Sequence, residues 1–241
     1  MASIDYIRSV TRNILDKDGN GWIGDNKFNN IITYVQDEVF NDIYALYTQA
    51  RGKRLRRLEY KGFVYSGVRQ IEDDLRPLYR TGVSLSQISN NTFSTPSDLR
   101  YLEGVNYDSK DVEILKQNDS INNLLTSRAA PTTTYPAATV SNGVITMYPT
   151  SIATDVTVSY YKNPRGINAN GNPVDQSPTW AYDTVSNKSI YNASNSIQLE
   201  LPESTYNKII VRLVSLYGVN IREYEVVQYA NNEEMKNQNN L

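Results

Sequence analysis

The chain has 241 residues, with 24 basic against 26 acidic side chains, so overall charge singles out neither nucleic acid nor an anionic membrane as a partner. It contains no cysteine and no histidine, which excludes disulfides, thiolate chemistry, and the commonest general base and transition-metal ligand. Its 19 tyrosines, against 4 phenylalanines and 2 tryptophans, fit wet, half-buried surfaces, either subunit interfaces or a polar β-rich domain.

The opening residues, MASIDYIRSV, lack the basic start and apolar run of a signal peptide. No apolar stretch approaches the roughly 20 residues needed to span a bilayer. The expectation is a soluble protein made in a cytoplasm, long enough for one large domain or two small ones.

Ser3 is placed to cap a first helix running to about Leu15, with Ile4, Ile7, Val10 and Ile14 on one face. The next segment, Asp16 to Phe28, copies the start of an EF-hand calcium loop. Asp16, Asp18 and Asn20 stand at ligand spacings, Gly21 at the sharp turn and Ile23 at the apolar position. The twelfth position, where a bidentate glutamate belongs, is Lys27. A helix–turn–helix connector whose Asp and Asn side chains cap their own turn is the other reading.

A long helix follows from Asp25 to about Arg51, with Phe28, Ile31, Ile32, Val35, Val39, Phe40, Ile43 and Leu46 at helical spacing. At 1.5 Å per residue it spans roughly 40 Å. Arg51, Lys53, Arg54, Arg56 and Arg57 then form a basic cluster around Leu55 and Leu58. Such a cluster serves either a contact with phosphate or an acidic neighbour, or a solvated helix end that complements the helix dipole. A third helical run, Tyr65 to Tyr79, carries Val68, Ile71, Leu75 and Leu78, and places Glu72, Asp73 and Asp74 on its wet side. Those three acids are consecutive, so they diverge around the helix and build no carboxylate pair.

From Val83 to Ile197 the sequence reads as short strands and turns, including Val83–Leu85, Val112–Leu115 and Asn142-Gly143. Val144–Pro149 and Val156–Tyr161 read as a hairpin joined through Ile152–Asp155, while 97–105 and 119–125 read as short helical pieces. The Asn-, Gly- and Pro-rich stretch 163–179 reads as a long exposed loop, pinned to the sheet by Trp180 and Tyr182. Ile197, Leu199 and Leu201 alternate as a strand, and Pro202 opens a helix bearing Ile209, Ile210, Leu213, Leu216 and Tyr217. Gly218 is placed to close that helix, a further helical run covers Ile221–Tyr229, and a polar tail follows.

The predicted fold is α+β: a helical bundle formed by N-terminal and C-terminal helices, with an inserted β-rich domain. Its parts are 1–82 (helical), 83–197 (β-rich insertion), 198–232 (closing helices) and 233–241 (flexible tail). No phosphate-cradling glycine loop, metal cluster or nucleophile–base pair is found, so no catalytic, cofactor or metal residues are nominated and catalysis is not expected. The interface candidates are Arg51, Lys53, Arg54, Arg56, Arg57, Glu72, Asp73, Asp74, Tyr229 and Met235.

Three segments carry a family resemblance: LDKDGNGWIGDNKFNNIITYVQDEVF; the middle region with Pro96, Tyr148-Pro149 and Tyr160–Pro164; and LELPESTYNKIIVRLVSLYGVNIREYEVVQYANNEE. Together they resemble the head-to-tail adaptor, or ring, proteins of tailed bacteriophages, close to those of short-tailed crAss-like phages. The resemblance implies a virion neck protein assembled in the host cytoplasm into a homo-oligomeric ring, typically of about twelve copies. It implies docking beneath the portal protein, contact with the next tail or neck protein, and passage of double-stranded DNA through the lumen. It also implies that the carboxy-terminal tail reaches the portal. Because a ring interface joins two different faces, Arg51–Arg57 is a candidate to meet an acidic face such as Glu72–Asp74 of the next subunit. Two other readings are a receptor- or carbohydrate-binding β-domain, resting on the Tyr-rich strands and the 163–179 loop, and a calcium-regulated module, resting on Asp16, Asp18 and Asn20.

Overall fold

The computed structural model describes residues 4–15, 24–56, 65–115, 118–185 and 188–221 of an α+β chain. Two compact units divide it: Leu78–Asn163, and a second unit drawn from both chain ends, Met1–Pro77 with Pro164–Leu241. The first is strand-rich and the second mainly helical.

In the helical unit, α1 (Ile4–Leu15) buries Ile4, Ile7, Arg8, Thr11 and Leu15. This face is turned from the predicted one, and Val10 and Ile14 are only half-buried. The reason is polar: Arg8 and Thr11 take core positions that an apolar pattern does not register. Helix α2 (Asp25–Arg56) has 32 residues, about 48 Å at 1.5 Å per residue, and runs on through Gly52 past the expected end. It buries Phe28, Ile32, Val35, Val39, Phe40 and Ile43. Helix α3 (Tyr65–Leu75) packs on α2 and gives way to a 3-10 turn, Arg76–Leu78.

The strand-rich unit holds two sheets. Strands β1 (Tyr79–Ser84), β4 (Leu99–Tyr107), β5 (Lys110–Asp111) and β9 (Val156–Lys162) form one, in the order β1-β9-β4-β5. The other contains β2 (Ser86–Ser89), β3 (Thr92–Ser94), β6 (Glu113–Leu115), β7 (Ala137–Ser141) and β8 (Val144–Tyr148), in the order β2-β3-β8-β7-β6. At two corners the chain bends directly from a strand of one sheet into a strand of the other. One bends from β1 into β2 at Leu85, whose N–H donates to Val156 O (3.0 Å); the other bends from β5 into β6 at Val112, whose N–H donates to Val105 O (2.9 Å). Strands that switch sheets at corners let both inner faces share one core. That core combines Phe93, Ala138, Ile145 and Met147 from one sheet with Val105, Val156, Val158 and Tyr160 from the other, plus Val112 and Ile152.

The expected hairpin of 144–149 with 156–161 does not form. Strand β8 pairs with β3 and β7, whereas β9 pairs with β1 and β4. Alternation identified both strands, but the segment between them crosses from one sheet to the other and buries Ile152 on the way. The tight turn lies earlier, between β7 and β8, where Asn142 (φ 48°) and Gly143 (φ 75°) adopt the left-handed pair of a primed hairpin turn. Residues 99–107 are strand rather than helix, while α4 (Asn118–Leu125) answers the second expected helical piece.

From Pro164 onward the chain belongs to the helical unit, although the predicted boundary placed 164–197 with the β-rich part. Here β10 (Gly166–Ile167) lies between β11 (Pro173–Val174) and β14 (Gln198–Leu199), and β12 (Tyr182–Val185) pairs with β13 (Lys188–Tyr191). The expected open loop is therefore partly paired. A Cβ at Gly166 would collide with Ile197 Cγ2 and press on Gln176 O, so this three-strand crossing requires glycine. Pro202 caps a 3-10 turn, Glu203–Thr205, leading into α5 (Tyr206–Ile221). Helix α5 continues past Gly218 instead of ending there. It buries Ile209, Ile210, Leu213, Val214 and Tyr217 and packs on α1 and α2. The expected run beyond Ile221 and the polar tail lie outside the described residues, as do Ser3 and Asp16–Ile23.

Candidate functional site

Among the described residues, Trp180 is the largest fully buried side chain and the centre of the most elaborate polar arrangement in the helical unit. Its indole Nε1–H donates to Asp5 Oδ1 on α1 (2.8 Å). Its backbone is clamped by one amide on α2: Trp180 N–H donates to Asn29 Oδ1 (2.8 Å), and Asn29 Nδ2 donates to Trp180 O (3.1 Å). Tyr182 and Tyr191 stack beside the indole, at 5.4 and 6.1 Å between ring centroids. The Arg8 guanidinium lies 3.7 Å from the ring centroid, a cation–π geometry. Arg8 is buried and Nη2 pairs with Asp25 Oδ1, while Asp25 Oδ2 accepts from Ser189 Oγ (2.9 Å) on β13. Trp180 thus pins residues 164–201 to α1 and α2, not to the sheets of the strand-rich unit as expected.

A second clamp lies further along α2. Gln36 is fully buried; its Nε2 donates to Arg165 O (3.0 Å) and its Oε1 accepts from Glu200 N (3.2 Å). Glu200, also buried, accepts from Arg165 N through Oε2 (2.9 Å). At the start of α1, Ile4 N donates to Gln198 Oε1 (2.7 Å), and Gln198 Nε2 donates to Tyr191 OH (2.9 Å). Sequence reasoning missed these residues because it counted apolar positions alone. Their signal was present: Arg8 stands four residues after Ile4 and Gln36 four after Ile32, both in the path of an apolar face.

The end of the calcium-like loop is committed elsewhere. Asp25, its tenth position, holds Arg8 and Ser189, and the Lys27 ammonium lies 5.6 Å from the Tyr217 ring centroid. Asp16, Asp18, Asn20, Gly21 and Ile23 lie outside the described residues. Among the described residues, no three or more His, Cys, Asp or Glu side chains are grouped to hold a metal ion. Nor is any described helix long and apolar enough to cross a membrane.

The interface candidates fall in different settings. Arg51, Glu72 and Asp73 are exposed, Arg51 on α2 and the acids on α3. Lys53, Arg54 and Arg56 lie in the last turns of α2, whereas Arg57, Tyr229 and Met235 lie outside the described residues. Asp74 corrects the expectation of a wet acidic trio: it is buried and accepts from Gln70 Nε2 (2.9 Å) and from Ser204 Oγ. Its position three residues after Ile71 turns it inward, where a neutral amide and a hydroxyl satisfy the carboxylate. It ties α3 to the turn before α5 and does not serve an outer surface.

A surface stripe on α2 completes the inventory. Tyr34 OH donates to Glu38 Oε1, Glu38 Oε2 pairs with Arg212 Nε of α5 (3.2 Å), and Arg212 Nη2 pairs with Asp42 Oδ2 (3.3 Å). The hydrogen bond to Glu38 raises the Tyr34 pKa, and burial raises that of Asp42 against the pull of Arg212. These geometries position chain segments. No protein-family model matches the chain, and no curated protein matches it.

Proposed function

We propose that this chain is a structural subunit of a ring joining a capsid portal to a phage tail, with double-stranded DNA passing through the lumen. The observation that carries the reading is α2. Beyond Ile43 none of its described side chains is fully buried, yet the helix continues to Arg56 and ends in Arg51, Lys53, Arg54 and Arg56. Arg51 is exposed near that end of α2, and α3 exposes the acidic pair Glu72 and Asp73. In a head-to-tail ring each subunit presents two different faces, so a basic and an acidic surface on one chain are complementary between copies. On this reading the terminal helices form a bundle carrying an inserted β-domain, and the carboxy-terminal tail, including Tyr229 and Met235, meets the portal. The ring belongs to the virion neck, contacts the next tail protein, and performs no catalysis.

Native mass measured with and without purified portal tests the reading. A monomer that becomes a ring of about twelve on the portal supports it; a stable trimer, or indifference to the portal, overturns it. The double charge reversal Arg54→Glu and Arg56→Glu should abolish assembly, with partial rescue by Glu72→Lys and Asp73→Lys. Unchanged assembly would remove the charge pairing but not the ring. A receptor- or carbohydrate-binding role is favoured by a different observation: Tyr135 is 80% exposed on the segment between α4 and β7. Glycan-array binding lost on Tyr135→Ala would select that role.

A further inference from the structure

Three buried polar atoms in the helical unit have no hydrogen-bond partner among the described residues: Arg8 Nε, Thr11 Oγ1 and Tyr217 OH. Burying even one such group unsatisfied is costly, and three in one small unit call for a common explanation. Arg8 and Thr11 are three residues apart on the buried face of α1, and α1 packs against α5, which carries Tyr217. Lys27 closes the same region from α2, its ammonium 5.6 Å from the Tyr217 ring. Arg8 spends Nη2 on Asp25 and its guanidinium face on Trp180, which leaves the Nε–H unused.

We propose that the α1–α5 contact contains a binding site for one small hydrogen-bond acceptor, the size of a water molecule or halide, held jointly by Arg8 Nε, Thr11 Oγ1 and Tyr217 OH. The chemistry follows from the donor set. Arg Nε–H can only donate, and both hydroxyls can rotate to donate. Burial pushes the Tyr217 hydroxyl up to about 12, despite the opposing charge of Arg8, so the phenol keeps its proton at neutral pH. Three donors on one occupant would match the roughly three bonds that a buried water makes. The Asp25 carboxylate already offsets the Arg8 charge, so a neutral water suffices, while Lys27 nearby leaves room for a halide. The occupant joins α1 to α5, the first and last described helices.

A double-mutant cycle in the full chain, read by urea midpoint, tests this with near-isosteric changes. Under the proposal, Thr11→Val and Tyr217→Phe each lower the midpoint, and the double variant falls by less than the sum of the two, because each breaks the same bridge. Neutral or raised midpoints, or strictly additive losses, overturn it, since removing an isolated orphan hydroxyl relieves a penalty. If either variant fails to fold, a high-resolution crystal structure of the unaltered chain decides. Density within hydrogen-bond reach of all three atoms supports the site, and its absence overturns it. A soak in bromide separates halide, which gives an anomalous peak there, from water, which gives none.

Discussion

The two units meet the hydrogen-bonding needs of their buried groups by different means. In the strand-rich unit neighbouring strands satisfy one another through ladders, and the core they enclose is almost wholly apolar. Among the described residues, its buried polar side chains are Thr139, Ser159 and Lys162. The helical unit gathers chain segments that the ladder cannot reach, because 164–201 returns to helices formed at the start of the chain. It therefore buries Arg8, Thr11, Gln36, Asp74, Ser196, Glu200 and Thr205, and uses side-chain amides as substitutes for backbone partners. Long-range polar clamps of this kind specify register, whereas apolar packing supplies most of the free energy.

The largest expected effects set the two designs side by side. Trp180→Ala removes the indole and its tie to Asp5, and should cost about 3–5 kcal/mol. Met147→Ala, at the centre of the strand-rich core, should cost about 2–5 kcal/mol by leaving a cavity. Hydrogen exchange separates them: the first should deprotect α1 and residues 164–201, the second β3, β7 and β8. Equal deprotection of both units by either change would show one cooperative block and erase the distinction. Gln36→Leu comes next. It leaves Arg165 O and Glu200 N without the amide, at about 1–3 kcal/mol for each orphaned group, so a loss near zero in urea unfolding would mean the clamp is ornamental.

A pH series sharpens the contrast further. In the strand-rich unit Tyr160 is pushed from 10.0 to about 12, first by burial and then by donating to Asp98 Oδ1 (2.8 Å). A raised folded value favours the neutral phenol. Its stabilisation is therefore whole below pH 10.0 and is lost as pH rises toward about 12. Tyr160→Phe should cost about 1 kcal/mol at neutral pH by taking the donor from Asp98, and should flatten the alkaline decline of the strand-rich unit. An unchanged slope would assign the decline to other groups, Tyr217 first. The smallest effect has the opposite sign. A methyl at Gly52 meets nothing within 4 Å, so Gly52→Ala should stabilise α2 by about 0.5–1 kcal/mol, visible as a small rise in melting temperature.

Periodicity alone determined the existence of α1, α2, α3 and α5, the strand character of 144–148 and 156–162, and the burial of Ile209, Ile210 and Leu213. Each of these rests on interactions within a few residues, where local geometry and hydrophobic spacing are decisive. Tertiary structure decided the rest. It assigned β8 and β9 to different sheets, turned Asp74 inward to Gln70 and Ser204, carried α5 past Gly218, and moved residues 164–197 into the unit of the helices. It also assembled the Trp180 cluster, joining Asp5, Arg8, Asp25 and Asn29 to residues more than 150 positions later. These outcomes turn on which distant partner satisfies a buried donor or acceptor, and one-dimensional spacing carries no record of that choice.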